Sequence, residues 1–98
     1  MNADYDSRGD TIQIELAEFR RPAYGGDVEN GAVIVSVHEG RPLMLDVIGT
    51  RKHDFEKPLR AAAERYELDA EALIAISRAT LAAPDRPVRL ELGERIVD

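Results

Sequence analysis

The stretch from Asp54 to Ala83 constrains this chain more than any other. It reads as two helices joined by a tight turn at Glu67–Leu68. In the first, Phe55, Leu59, Ala62 and Tyr66 recur at helical spacing and give one narrow apolar stripe. Asp54 is placed to cap that helix, and Pro58 is tolerated in its first turn. Its outer side carries Glu56–Arg60 and Arg60–Glu64 as pairs one turn apart. The second helix starts at Asp69 as N-cap, with Leu68 and Leu73 placed for a hydrophobic staple. At about 100° per residue, Leu73, Ile76 and Thr80 centre one face of it. Ala72, Ala79 and Ala83 flank that face on one side; Ala70, Ile74 and Leu81 flank it on the other. The polar remainder is little more than Glu71 and Arg78, so the apolar arc is much wider than that of an ordinary surface helix. Such a helix needs neighbours on nearly every side. Pro84 and Pro87 stop it.

The rest of the chain must supply those neighbours, and it does so in strand patterns. Ile12, Ile14 and Leu16 alternate with Gln13, Glu15 and Ala17, a half-buried strand. The alternation breaks at Phe19, and Arg20, Arg21 and Pro22 end it. Residues 20–31 form a long connection punctuated by Gly25–Gly26 and Asn30–Gly31, of a length that is often functional or mobile. Tyr24, its one large side chain, is expected to fold back on the edge of the core. Residues 32–49 read as a β-hairpin. With a three-residue loop at His38, Glu39 and Gly40 and a bulge at Gly40, Val35 faces Leu43 and Val33 faces Leu45. Val33, Val35, Leu43 and Leu45 then share one face; Ile34, Ser36, Met44 and Asp46 share the other. A plain two-residue loop at Glu39–Gly40 pairs Val35 with Met44 and mixes the faces. Val88, Leu90 and Leu92 alternate with Arg89 and Glu91 as a last strand, and residues 93–98 are a short tail or its continuation. Residues 1–10, with Asp4, Asp6, Asp10 and a lone Gly9 but no periodicity, read as a flexible N-terminal tail. The expected fold is α+β in two layers with the order β-β-β-α-α-β: a four-stranded, mostly antiparallel sheet with the helical hairpin on one face. One domain spans 11–98.

The sequence LRAAAERYELDAEALIAISRA resembles the helix-turn-helix pattern of DNA-binding proteins. Ala63 takes the small position of the first helix, Leu68 the turn, and Leu73 and Ile76 the inward positions of the second. The resemblance implies that Asp69, Ala70, Glu71, Ile74 and Ala75 face the major groove. Those residues offer no guanidinium or amide to base edges and set two carboxylates against phosphate. A net charge of −6 works in the same direction, so nucleic acid is not an expected partner.

Other chemistries are narrowed by what the chain lacks. Without cysteine there is no disulfide, thiol nucleophile or Cys-ligated metal. No apolar run approaches the roughly 18–20 residues that span a bilayer, so no membrane partner is expected. The polar, acidic start matches neither a secretory signal nor an Arg-rich transit peptide, and a cytoplasmic location is the expectation. His38 sits in a hairpin loop. His53 adjoins Asp54, but adjacent residues at a helix start point apart, and both histidines read as solvated. Ser36 and Ser77 lack a nucleophile elbow, and no HExxH or Gly-Lys-Ser/Thr phosphate loop is present. Arg51, Lys52, Lys57 and Arg60 are interleaved with Asp54 and Glu56 as a mixed-charge face. No catalytic residue, metal or cofactor is expected.

The leading expectation is therefore a non-enzymatic protein–protein interaction or regulatory module, a homodimer or a subunit of a larger complex. A four-stranded sheet covers only one side of the second helix. That leaves Ala70, Ile74 and Leu81, with Ile34 and Met44 on the second face of the hairpin, as the candidate interface. The alternative is a small-ligand binder or enzyme whose site is formed by the 20–31 loop and the 50–57 connection, with Tyr24, Arg51, His53 and Asp54 as its residues.

Overall fold

Alternation at period two organises the observed architecture, and more of the chain obeys it than the apolar runs alone suggest. The computed structural model describes residues 1–17 and 21–90 and the backbone of Ile96–Val97. The elements are β1 (Asn2–Asp6), β2 (Thr11–Glu15), β3 (Ala23–Val28), β4 (Val33–His38), β5 (Arg41–Ile48), α1 (Glu56–Tyr66), α2 (Ala70–Ala82), β6 (Val88–Leu90) and β7 (Ile96–Val97). The strands form one seven-stranded sheet in the order β3-β4-β5-β2-β1-β6-β7. Every neighbouring pair is antiparallel. The α+β class holds, but the sheet is wider than the four strands expected. Phe19, Arg20 and Leu92 lie outside the described residues.

Two of the additional strands come from stretches read as tail and loop. Asn2–Asp6 is not a tail in this structure: it lies inside the sheet between β2 and β6. Ala3 and Tyr5 are buried there, while Asn2, Asp4 and Asp6 are exposed. The alternation is present in the sequence, but with only a small Ala and a Tyr on its apolar side it is masked by the aspartates. Ala23–Val28, read as part of a long connection, is an edge strand on β4 with an irregularity between Tyr24 and Gly26. Gly25 and Gly26 serve close approach there and not a turn. A Cβ on Gly25 would collide with Val37, and one on Gly26 (φ +141°) would sit 3.0 Å from the Tyr66 hydroxyl.

The β4–β5 hairpin keeps the expected faces by a different device. The loop is the two-residue Glu39–Gly40, both at positive φ (52° and 77°), as a tight hairpin turn requires. It pairs His38 with Arg41 and Val37 with Pro42, and then Ser36 with Met44. Leu43 is the extra residue of a bulge, and Pro42 stands where a missing N–H does least harm. The one-residue slip sets Val35 opposite Leu45 and Val33 opposite Val47, in place of the expected Leu43 and Leu45, and Val33, Val35, Leu43, Leu45 and Val47 all face the core.

Both helices lie on that face, α1 over β3, β4 and β5, and α2 over β1, β2, β6 and β7. This width answers the demand of α2. Ile74 is 3% exposed, with Leu73, Ile76, Ser77 and Thr80 also buried, and Ala70 and Leu81 are packed against the core's margin. The flank of α2 that a four-stranded sheet would have left bare has a home in the chain itself. Glu67, in the left-handed conformation (φ 56°), ends α1, and the Leu68 N–H reaches back to the Ala63 carbonyl. Asp69 caps α2 by accepting from the Ala72 N–H at 3.2 Å. Asp54 is not the cap of α1. That position belongs to Phe55, and Asp54 accepts from the Glu56 N–H one residue further on. Arg60 and Glu56 pair with α2 and not along α1: Arg60 with Glu71 and Glu56 with Arg78, each at 2.7 Å.

Candidate functional site

With both helices on one side, the other side of the sheet is uncovered among the described residues. Its composition follows from the register. One row across the strands is Asp27, Ile34, Asp46, Gln13 and Asp4. The next is Tyr24, Ser36, Met44, Glu15, Asn2 and Arg89. Asp6 lies beyond them, opposite Thr11. The face is thus acidic, with a half-buried apolar strip, Ile34 and Met44, along the two central hairpin strands.

Two shallow troughs lie on this face. One, of about 440 Å³, is lined by Asp4, Tyr5, Asp6, Thr11, Gln13, Asp46 and Asp85. The other, of about 400 Å³, is lined by Asn2, Ala3, Asp4, Gln13, Glu15 and Pro87. Asp46 and Asp4 flank Gln13 from adjacent strands and so stand about 10 Å apart by strand spacing. Burial pushes the Asp46 carboxyl above the usual carboxylate range, against a hydrogen bond from Gln13 that pulls it down. Among the described residues no group of three or more His, Asp or Glu side chains is set to hold a metal ion. The carboxylates are spread along the face and not gathered at one point.

The corner where β1 turns into β2 is held by Asp10. Its carboxylate accepts from the Tyr5 hydroxyl at 2.7 Å, the Thr50 hydroxyl at 2.9 Å and the Arg51 N–H at 3.0 Å. Burial works to raise its pKa, but these bonds and the Arg51 charge outweigh it and hold the group below its ordinary value. Burial and the bond to Asp10 raise the Tyr5 phenol. Asp85 makes a similar clasp, accepting from the Ser7 N–H and hydroxyl, which lowers its pKa. Both clasps are satisfied within the chain and fix the end of β1 beside the trough.

A third concavity, of about 610 Å³, lies at the amino end of α1. It is lined by the turn residues Glu29, Asn30 and Gly31, by Ala32, Ile48 and Gly49, and by Lys52, His53, Asp54, Lys57 and Pro58. The two segments expected to form a ligand site do meet here, but the membership differs. His53 and Asp54 line the groove; Tyr24 and Arg51 do not. Tyr24 is 71% exposed on β3, donating to Asp27, and does not fold back on the core. Arg51 lies over the Tyr5 ring, 5.4 Å from its centroid. Of the expected interface residues, Ile34 and Met44 share the open face, Ala70 and Leu81 are half-buried on α2, and Ile74 is in the core. Ile74 is also one of the residues that the helix-turn-helix resemblance would turn toward DNA.

The acidic trough escapes a reading of the sequence because its β1 half looks like a tail. The available signal is the alternation of Asn2, Asp4 and Asp6 with Ala3 and Tyr5. No helix among the described residues is long and apolar enough to cross a membrane. No protein-family model matches the chain, and no curated protein or solved structure matches it.

Proposed function

We propose that this chain is a non-enzymatic protein-interaction module whose open sheet face receives a basic segment of another protein. The observation that carries this reading is the asymmetry of the sheet: both helices cover one face, and the other presents Asp4, Asp6, Glu15, Asp27 and Asp46 around the half-buried Ile34 and Met44. An apolar strip rimmed by charge of one sign suits a partner with a few apolar anchors among lysines or arginines. Arg89 is the one cation among the described residues of those two rows, and it is already engaged. A homodimer through the same face would set those carboxylates against their own copies, which disfavours it. With Ile74 in the core, a homodimer through α2 also lacks its expected anchor.

Calorimetric titration with an arginine-rich peptide carrying two or three leucines tests the reading. The wild-type chain is expected to bind it at low salt. The combined variant Asp4→Asn, Asp6→Asn, Asp46→Asn is expected to bind at least tenfold more weakly, about 1.4 kcal/mol. Equal affinity for the two chains would overturn the assignment of the surface. Light scattering is expected to show a monomer; a dimer broken by those same substitutions would replace the basic partner with a second copy.

A further inference from the structure

We propose that the groove at the amino end of α1 binds a small organic monocarboxylate with an apolar body. This goes beyond the sheet-face reading and concerns a different surface. The chain has thirteen lysines and arginines, and its two lysines, Lys52 and Lys57, both line this one groove, together with His53. The arginines on either side are committed elsewhere, Arg51 over the Tyr5 ring and Arg60 to Glu71. Among the described residues the two ammonium groups have no ion pair or hydrogen bond. Of the two acidic lining residues, Glu29 and Asp54, the latter has a carboxylate oxygen occupied by the Glu56 N–H. Two ammonium groups without an ion pair, gathered in one concavity of a chain with net charge −6, mark a place for an anionic head even with Asp54 and Glu29 in the same lining. The positive end of the α1 dipole, on the same side, adds to that preference.

The rest of the lining sets the remainder of the ligand. Ile48 is among the few large apolar side chains left exposed, and with Ala32 and Pro58 it gives the groove an apolar wall. Its volume, about 610 Å³, is of the size that small-molecule sites occupy. Glu29, also in the lining, repels a second negative charge and so favours a monoanion over a dianion.

Amide chemical-shift titration of the full chain with benzoate tests the proposal, with benzylamine, of the same shape and opposite charge, as the comparison. Saturable shifts are expected at Gly31, Gly49, Lys52 and His53 with benzoate and not with benzylamine. In the variant Lys52→Gln, Lys57→Gln the apparent affinity should fall at least about tenfold. Both side chains are exposed, so the remaining resonances should stay in place. Shifts that do not saturate, that survive in the double variant, or that benzylamine reproduces would overturn it. Because Asp4, Asp6 and Asp46 do not line this groove, the sheet-face variant should bind benzoate as the wild type does.

Discussion

Replacing Ile74 by Ala distinguishes a residue of the core from a residue waiting for a partner. The substitution removes three carbons from a side chain that is 3% exposed. At about 0.8 kcal/mol per buried methylene the transfer contribution is about 2.4 kcal/mol. The cavity left among the helix and sheet residues brings the expected loss to about 3 kcal/mol, within the usual range for such truncations. Against a total of about 5–15 kcal/mol for a native domain this is a large fraction. Urea unfolding followed by far-ultraviolet circular dichroism, at two protein concentrations, measures it. The midpoint should fall with an unchanged slope, equally at both concentrations, because Ile74 packs against side chains of its own chain. Leu81→Ala, at the margin of the core, should cost less, about 1–2 kcal/mol. A loss at Ile74 below about 1 kcal/mol, or one that changes with protein concentration, would refute the reasoning and return this residue to an intermolecular contact.

Four further substitutions probe the features around the two faces. Ser77 is fully buried and its hydroxyl has no partner among the described residues, so Ser77→Ala should stabilise α2 by up to about 1 kcal/mol, read from the unfolding midpoint. Gly26→Ala should cost about 1–3 kcal/mol, through its positive φ and the crowding at Tyr66, and adding Tyr66→Phe should recover part of the loss. Asp10 has a depressed pKa, so its contribution to stability is fully present above the ordinary carboxylate value and is lost as pH falls from there through the depressed one; an acid titration of Asp10→Asn should show a shallower decline from a lower neutral value. Asp46 has a raised pKa, so its charged form opposes folding; Asp46→Asn should be more stable than wild type at neutral pH, and the difference should vanish on acidification.

Most of the helical hairpin is legible in the sequence because it is signalled locally, by the apolar stripe of α1, the cap at Asp69 and the apolar arc of α2; the cap of α1 is not, since Phe55 and not Asp54 holds it. The two faces of the β4–β5 hairpin are legible for the same reason, since burial dictates which side chains must agree. Its register is not, because a two-residue turn followed by a bulge at Leu43 reaches the same faces as a three-residue loop. The two strands that widen the sheet are hidden by composition. In β1 the core side is only Ala3 and Tyr5; in β3 the glycines that admit Tyr66 and Val37 look like a turn. That difference propagates. A narrow sheet leaves Ile74 without neighbours and makes it look like an interface, whereas the wider sheet buries it and leaves the opposite, acidic side of the sheet open. The groove at the amino end of α1 is half legible, since the two segments meet, but which side chains line it depends on tertiary placement that adjacency in sequence does not convey.

Mapping where a basic partner binds tests the central claim most directly. Amide shifts recorded while an arginine-rich, leucine-containing peptide is added should move at Asp4, Gln13, Glu15, Met44 and Asp46, with the outer residues of α1 and α2 unchanged. The response should weaken as salt is raised. Shifts centred on the helices, or none at low salt where the wild-type charge is least screened, would contradict the assignment of the open sheet face as the working surface.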